Sequence, residues 1–232
     1  MKRIAAALVL VVLLAGCVGP LQTEAAEADG PTVAVSASGS ASAEADLAVV
    51  HLGVESTADG ASEARERVAR DVEHVRSALA ASGVSDTNVT TTAFGIAPVY
   101  DFSGDGRELR GYRAAHSLAV ETAPARAGAV VDTAVEAGAT RVDGVRFTLS
   151  DDRRAELRAT ALDRAMAAAR TDAEGIAAAA ERSVTDVRHV STGTSFEPYA
   201  GSRVESDGGG GTVVEPAPVT VTATVDVTYA AA

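Results

Sequence analysis

Four histidines, one cysteine and 32 acidic residues are the groups of this 232-residue chain with the most obvious capacity for chemistry. His51, His74, His116 and His189 lie far apart and give none of the short spacings that bring imidazoles to one metal ion. Cys17 is the only cysteine, so no intrachain disulfide can form and no thiol remains beyond the N-terminus. Gly193-Thr194-Ser195-Phe196-Glu197 matches a nucleophile elbow until its last position, which should be Gly. Gly208 to Gly211 has no Lys after it and is no phosphate loop. Asp101-Phe102-Ser103-Gly104-Asp105-Gly106 looks like the opening of a calcium loop. Such a loop needs a bidentate acid at its twelfth position, which here is Tyr112, and Glu108 comes too early. An acidic, Gly-rich hairpin turn is the default reading. Acid pairs are too frequent in so acidic a chain to nominate a catalytic dyad. We therefore expect no catalytic residue, no metal ligand and no cofactor. Asn88-Val89-Thr90 is a candidate N-glycosylation sequon.

The stretch around that turn organises the chain. Asn88–Thr122 reads as two strands, and it holds Phe94, Tyr100, Phe102 and Tyr112, four of only eight aromatics in a chain without Trp. Alternation places Phe94, Ile96, Pro98, Tyr100 and Phe102 on one face of the first strand, and Tyr112, Ala114, Leu118 and Val120 on one face of the second. An even register would set Tyr100 against Tyr112 and Phe94 against Leu118. These large side chains are expected to anchor a core otherwise made of Ala and Val. His116 shares the apolar parity and is expected to hydrogen-bond within the sheet. Pro98 cannot donate to a ladder, which points to an edge strand. An open edge, with Val99 turned outward, is a template for another chain, and a homo-oligomer built on this hairpin is expected.

Other elements follow from periodicity. Val33, Val35 and Ala37 mark a first strand, and Ala48, Val50, Leu52 and Val54 the inner face of a second. Asp59 could cap a helix whose stripe is Val68, Val72, Val75 and Leu79, closed by Gly83. A helix starting near Pro124 should bury Ala127, Val131, Ala134 and Val135 and end at Gly138. Val142–Leu149 is a strand, and Ser150, Asp151 and Asp152 suit the positive end of the Ala-rich helix that follows. Its buried side should be Leu162, Ala165, Ala169, Ala173 and Ile176. Thr185–Ser191 is a weaker strand, and Ser195–Pro216, without periodicity, is expected to be a disordered loop. In the last strand Val219, Val221, Ala223, Val225, Val227 and Tyr229 alternate with mainly Thr. This gives an α+β fold: a largely antiparallel sheet of about seven strands with three helices on one face, in the order ββαββαβαββ.

The N-terminus carries an address. Residues 1–16 read as an export signal, with Lys2 and Arg3 before an apolar run from Ile4 to Leu14 that is too short to span a bilayer. Leu14-Ala15-Gly16-Cys17 resembles a lipobox, so Cys17 is the expected lipidation site; an ordinary secretory signal with a chance Cys is the alternative. Residues 18–31 form a polar tether reaching roughly 45 Å at full extension, and residues 32–232 make one domain. The net charge is −12, and loss of Lys2, the sole Lys, and Arg3 with the signal makes it two units more negative. Acidic and rich in Arg without Lys, the surface suits high salt, where self-repulsion is screened. No basic stripe exists to neutralise phosphates, so nucleic acid is not an expected partner.

Taken in order, certain segments resemble the SIMPL-domain family across residues 32–229. They are Val33-Ala34-Val35-Ser36 with Gly39, Ala58 to Ala64, Ala97-Pro98-Val99-Tyr100, Gly111-Tyr112-Arg113-Ala114, Gly138-Ala139, Gly144-Val145-Arg146-Phe147 and Ala161 to Ala169. Ala45 before Asp46, where members often have Pro, and the Gly-rich stretch before the last strand depart from the pattern. The resemblance implies an exported microbial envelope protein linked to oxidative-stress defence, and it supplies no catalytic residue. The reading is a non-catalytic module anchored to the outer face of the cell membrane, which binds an unidentified protein partner or self-assembles. The alternative is an exported enzyme whose site is assembled from distant residues.

Overall fold

The computed structural model describes residues 30–103, 106–197, 203–205 and 213–232. The signal, Cys17 and nearly all of the tether lie outside the described residues, as do Gly104 and Asp105 of the hairpin turn. Among the described residues there are nine strands and three α-helices. They are β1 (Thr32–Ala43), β2 (Leu47–Ala58), α1 (Ala61–Ala81), β3 (Val89–Asp101), β4 (Glu108–Thr122), α2 (Ala127–Glu136), β5 (Arg141–Thr148), α3 (Asp151–Ala179), β6 (Val184–Glu197), β7 (Arg203–Glu205), β8 (Val213–Glu215) and β9 (Val219–Ala231). Seven long strands and the helices follow in the expected order, and two short strands, β7 and β8, are additional.

The fold is α+β, with its seven long strands in two antiparallel sheets rather than one: β1-β9-β6 and β3-β4-β2-β5. The chain passes between them at Glu44–Asp46. There the Asp46 carboxylate accepts from the amide and hydroxyl of Ser150, 2.7 and 2.5 Å away, tying the crossover to the start of α3. Within the expected disordered loop, Ser195–Glu197 continues β6, and β7 and β8 pair with each other; residues 198–202 and 206–212 lie outside the described residues.

Each sheet buries the face its alternation marks. Ala48, Val50, Leu52 and Val54 of β2 are fully buried beneath α1, whose stripe Ala64, Val68, Val72, Val75 and Leu79 is likewise buried. On the other sheet, Val219 through Tyr229 meet α3, which presents Leu157, Ala161, Ala165, Ala169, Ala173 and Ala177 at intervals of four. Methyl side chains let α3 sit very close to β1: a Cβ on Gly39 would fall 2.3 Å from the Ala161 carbonyl oxygen. Two helices close as the sequence suggests. Gly83 takes a φ of 88° while Val84 N–H returns to Leu79 C=O, and Gly138 takes 107° while Ala139 N–H returns to Ala134 C=O.

Several inward positions differ from the sequence reading. Gly60, not Asp59, is the N-cap of α1, and it makes no side-chain bond. Val135 and Ile176 are about half exposed, and Val130 and Ala177 take the buried places. The largest fully buried side chains are Tyr229, Phe147 and four leucines, not the hairpin aromatics.

Candidate functional site

The hairpin of β3 and β4 forms one margin of its sheet, and β3 is the edge strand, as Pro98 requires. Its register differs from the even one expected. Phe94 opposes His116, Pro98 opposes Tyr112, Tyr100 opposes Leu109, and Leu118 faces Thr91. Over Ala93–Val99 even residues still oppose even ones but are displaced by two from the expected partners, and parity changes only beyond the irregularities at Thr91–Ala93 and Val99–Tyr100. α1 lies over β2 and β4 and reaches β3 less. Phe94 therefore stays 52% exposed and Ile96 39%, with Pro98 open beside them. Phe94, expected to anchor the core, instead forms with Ile96 and Pro98 an apolar strip on an uncovered flank. Tyr112 is half-buried and does pack against the core. Val99, expected to face outward, is half-buried, as is Tyr100, over whose ring the Arg107 guanidinium lies at 3.5 Å.

The other edges of the two large sheets carry guards against strand addition, and β3 itself carries two, Pro98 and its irregularities. β5 carries Arg141, Asp143 and Arg146 and is bulged beside Gly144, whose φ is 137°. β1 lies under α3, and Arg164 donates to the Ser40 carbonyl at 2.5 Å. β6 bears Asp186 and Arg188 and shifts register twice. Like β1, which has no charged residue over its whole length but lies beneath α3, β3 runs from Val89 to Tyr100 without one. Between its two irregularities, Ala93–Val99 is a regular segment of seven.

Among the described residues three titratable groups have displaced pKa values, each explained by a local bond or by packing. Asp101, partly buried, is lowered to about 2 by the hydroxyl and amide of Ser103 and by Arg110. Arg110 holds it with Nε at 3.1 Å and Nη2 at 2.8 Å. The carboxylate that would open a calcium loop thus already serves as the anchor of the turn. Burial pushes Asp46 up, but the bonds from Ser150 outweigh it, and the net displacement is downward. His116 is lowered first by burial and then by the charge of Arg76. Its Nε2 lies 2.9 Å from Thr91 Oγ1 and its ring stands edge-on to Phe94, so it is the sheet-bonded histidine its parity suggests.

The remaining histidines sit on other elements, His51 on β2, His74 on α1 and His189 on β6. Among the described residues no three His, Cys, Asp or Glu side chains stand together as a metal site. Asn88 ends a short 3-10 turn before β3 and is half-buried. A cleft of about 440 Å³ opens between β2, β5 and the start of α3, lined by Val49, Glu121, Arg146 and Arg154 among others. Arg154 is committed there to Asp151, at 2.8 Å, and to the Leu149 carbonyl, at 3.0 Å. The sequence reading missed this cleft because its lining residues come from three separate stretches of chain with no shared motif. Along the same sheet Glu55 joins Arg141 and Arg113, and Arg141 also meets Asp143 at 2.5 Å, an ion-pair chain across three strands.

A family model, SIMPL, described as a protein of unknown function (DUF541), matches residues 33–229. No curated protein matches the chain.

Proposed function

The chain belongs to the SIMPL family, and from that premise we propose that it is an exported, lipid-anchored module of the cell envelope that works by self-assembly rather than catalysis. Cys17 would carry the anchor and residues 18–31 the tether, which holds the domain off the outer face of the membrane. A role in envelope or oxidative stress is the context the family resemblance suggests. The observation that carries the reading is the β3 edge: twelve uncharged residues, Val89–Tyr100, with Phe94 and Ile96 left uncovered. Exposed apolar surface at an unpaired edge invites strand addition, and native proteins leave one open mainly when it is used. The alternative, an exported enzyme, would draw on the cleft of Glu121, Arg146 and Arg154.

The test is multi-angle light scattering on the mature chain with Cys17→Ser, at molar salt and over a concentration series. The native surface should show concentration-dependent assembly. Ile96→Arg should weaken it without lowering the melting temperature, because an Arg in the contact would be desolvated without a partner. A chain that stays monomeric throughout the series, and on the membrane when it carries its anchor, would overturn self-assembly and move attention to Glu121 and the cleft.

A further inference from the structure

We infer that the occupant of the β3 edge is the β3 edge of a second copy, paired antiparallel about a two-fold axis through Ile96. This rests on the self-assembly reading and specifies its geometry. The regular part of β3 is Ala93–Val99, bounded by an irregularity at each end, and Ile96 is its midpoint. A two-fold pairing that uses all of this segment sets Ile96 against Ile96 of the other copy, Gly95 against Ala97, Phe94 against Pro98 and Ala93 against Val99. The pattern is self-complementary apart from Pro98, which offers no N–H to the Phe94 carbonyl opposite it, so the ladder lacks a bond at each end. On the flank beside α1, the half-exposed Phe94 ring meets the flat ring of Pro98 and the two Ile96 side chains meet each other. On the opposite face, Gly95 and Ala97 are small, and nothing lies within 4 Å of a Cβ on Gly95. No charge is brought against a like charge, since the segment has none. An isologous contact also closes on itself, joining two four-stranded sheets into one of eight strands and leaving no sticky edge to propagate.

Size decides where such a pair is populated. Seven residues at ~3.3 Å make a contact about 23 Å long; at roughly 10 Å deep it buries on the order of 500 Å² over both copies. Stable complexes in solution bury about 1,200 Å² or more. The pair is therefore weak between freely diffusing chains and depends on raised local concentration. Anchoring to one membrane surface supplies this, much as a linker raises effective concentration to the millimolar range.

Cysteine cross-linking on membranes bearing the full chain tests the pairing, with the unsubstituted chain as blank. Cross-strand partners lie within disulfide reach, while residues several positions off the axis do not meet their own counterparts. Ile96→Cys should give a disulfide-linked dimer several-fold more abundant than Ala93→Cys or Val99→Cys. Chains bearing Gly95→Cys and Ala97→Cys, expressed together, should link to one another; they carry the test if Ile96→Cys fails to fold. Equal linking at Ala93 or Val99, or none at Ile96 and at the mixed pair while the native chain still assembles, would overturn this geometry and leave self-assembly standing. A native chain that is monomeric on the membrane as well would overturn both.

Discussion

Gly39→Ala adds one methyl group where β1 and α3 nearly touch. The new Cβ would lie 2.3 Å from the carbonyl oxygen of Ala161, 2.4 Å from the amide nitrogen of Ala165 and 2.8 Å from Cβ of Arg164. The first two are backbone atoms of a 29-residue helix and cannot swing aside. Reaching ordinary contact distance requires α3 to retreat by about 1 Å. That movement loosens the run of Ala161, Ala165, Ala169 and Ala173 against the sheet, and methyl groups have no length with which to follow. It also draws Arg164 away from the Ser40 carbonyl. Overpacking costs about 1–3 kcal/mol where side chains can adjust, and here we expect the upper end, ~3 kcal/mol. For a chain of this size that lowers the melting temperature by roughly 6–12 °C. Gly95→Ala is the control, because its added methyl meets nothing within 4 Å. Thermal unfolding followed by circular dichroism at molar salt measures both. Gly39→Ala melting within a couple of degrees of the native chain would refute the close β1–α3 packing.

Cys17→Ser should release the protein from the membrane or leave its precursor uncut, read by fractionation and mass; a variant still processed and membrane-bound would remove the anchor. His116 has a folded pKa below its ordinary value, so the unfolded chain takes the proton first. Its contribution to stability should be intact above about pH 6.5 and decline as pH falls below that, and melting against pH should be flatter for His116→Gln. Tyr112→Ala should cost about 1–2 kcal/mol by chemical denaturation, less than the 3–5 of a fully buried aromatic, because the ring is only partly covered.

Local features of this fold were legible where one short-range rule decides the outcome. Strict alternation in Val219–Tyr229 marked β9 and its buried face, and both borne-out helix ends, Gly83 and Gly138, follow from the left-handed conformation glycine tolerates. Ser150 caps α3 as expected, its hydroxyl accepting from Arg153 N–H at 3.3 Å. The division into two sheets was not legible, because it turns on Asp46 meeting Ser150 across 104 residues. In α3, alanines occupy nearly every face, so periodicity could not separate Ala177, which is buried, from Ile176, which is not. The hairpin shows both sides of this limit. Pro98 disclosed an edge strand, since a missing donor is a local fact. Whether Phe94 is covered depends on where α1 lies, and the pairing of Ala93–Val99 sits two residues from the one the alternation implied. Phe94 therefore pointed to the right stretch of chain for the wrong reason, as core when it lies on an exposed strip, while Tyr112 packs against the core as expected.

Amide hydrogen exchange across a concentration series tests most directly the claim that the β3 edge is where copies of this chain meet. As assembly grows, the account expects slower exchange within Ala93–Val99, with the amides of β5 and β6 unchanged. Assembly that proceeds with no added protection in Ala93–Val99, or with protection at β5 or β6 instead, would contradict it.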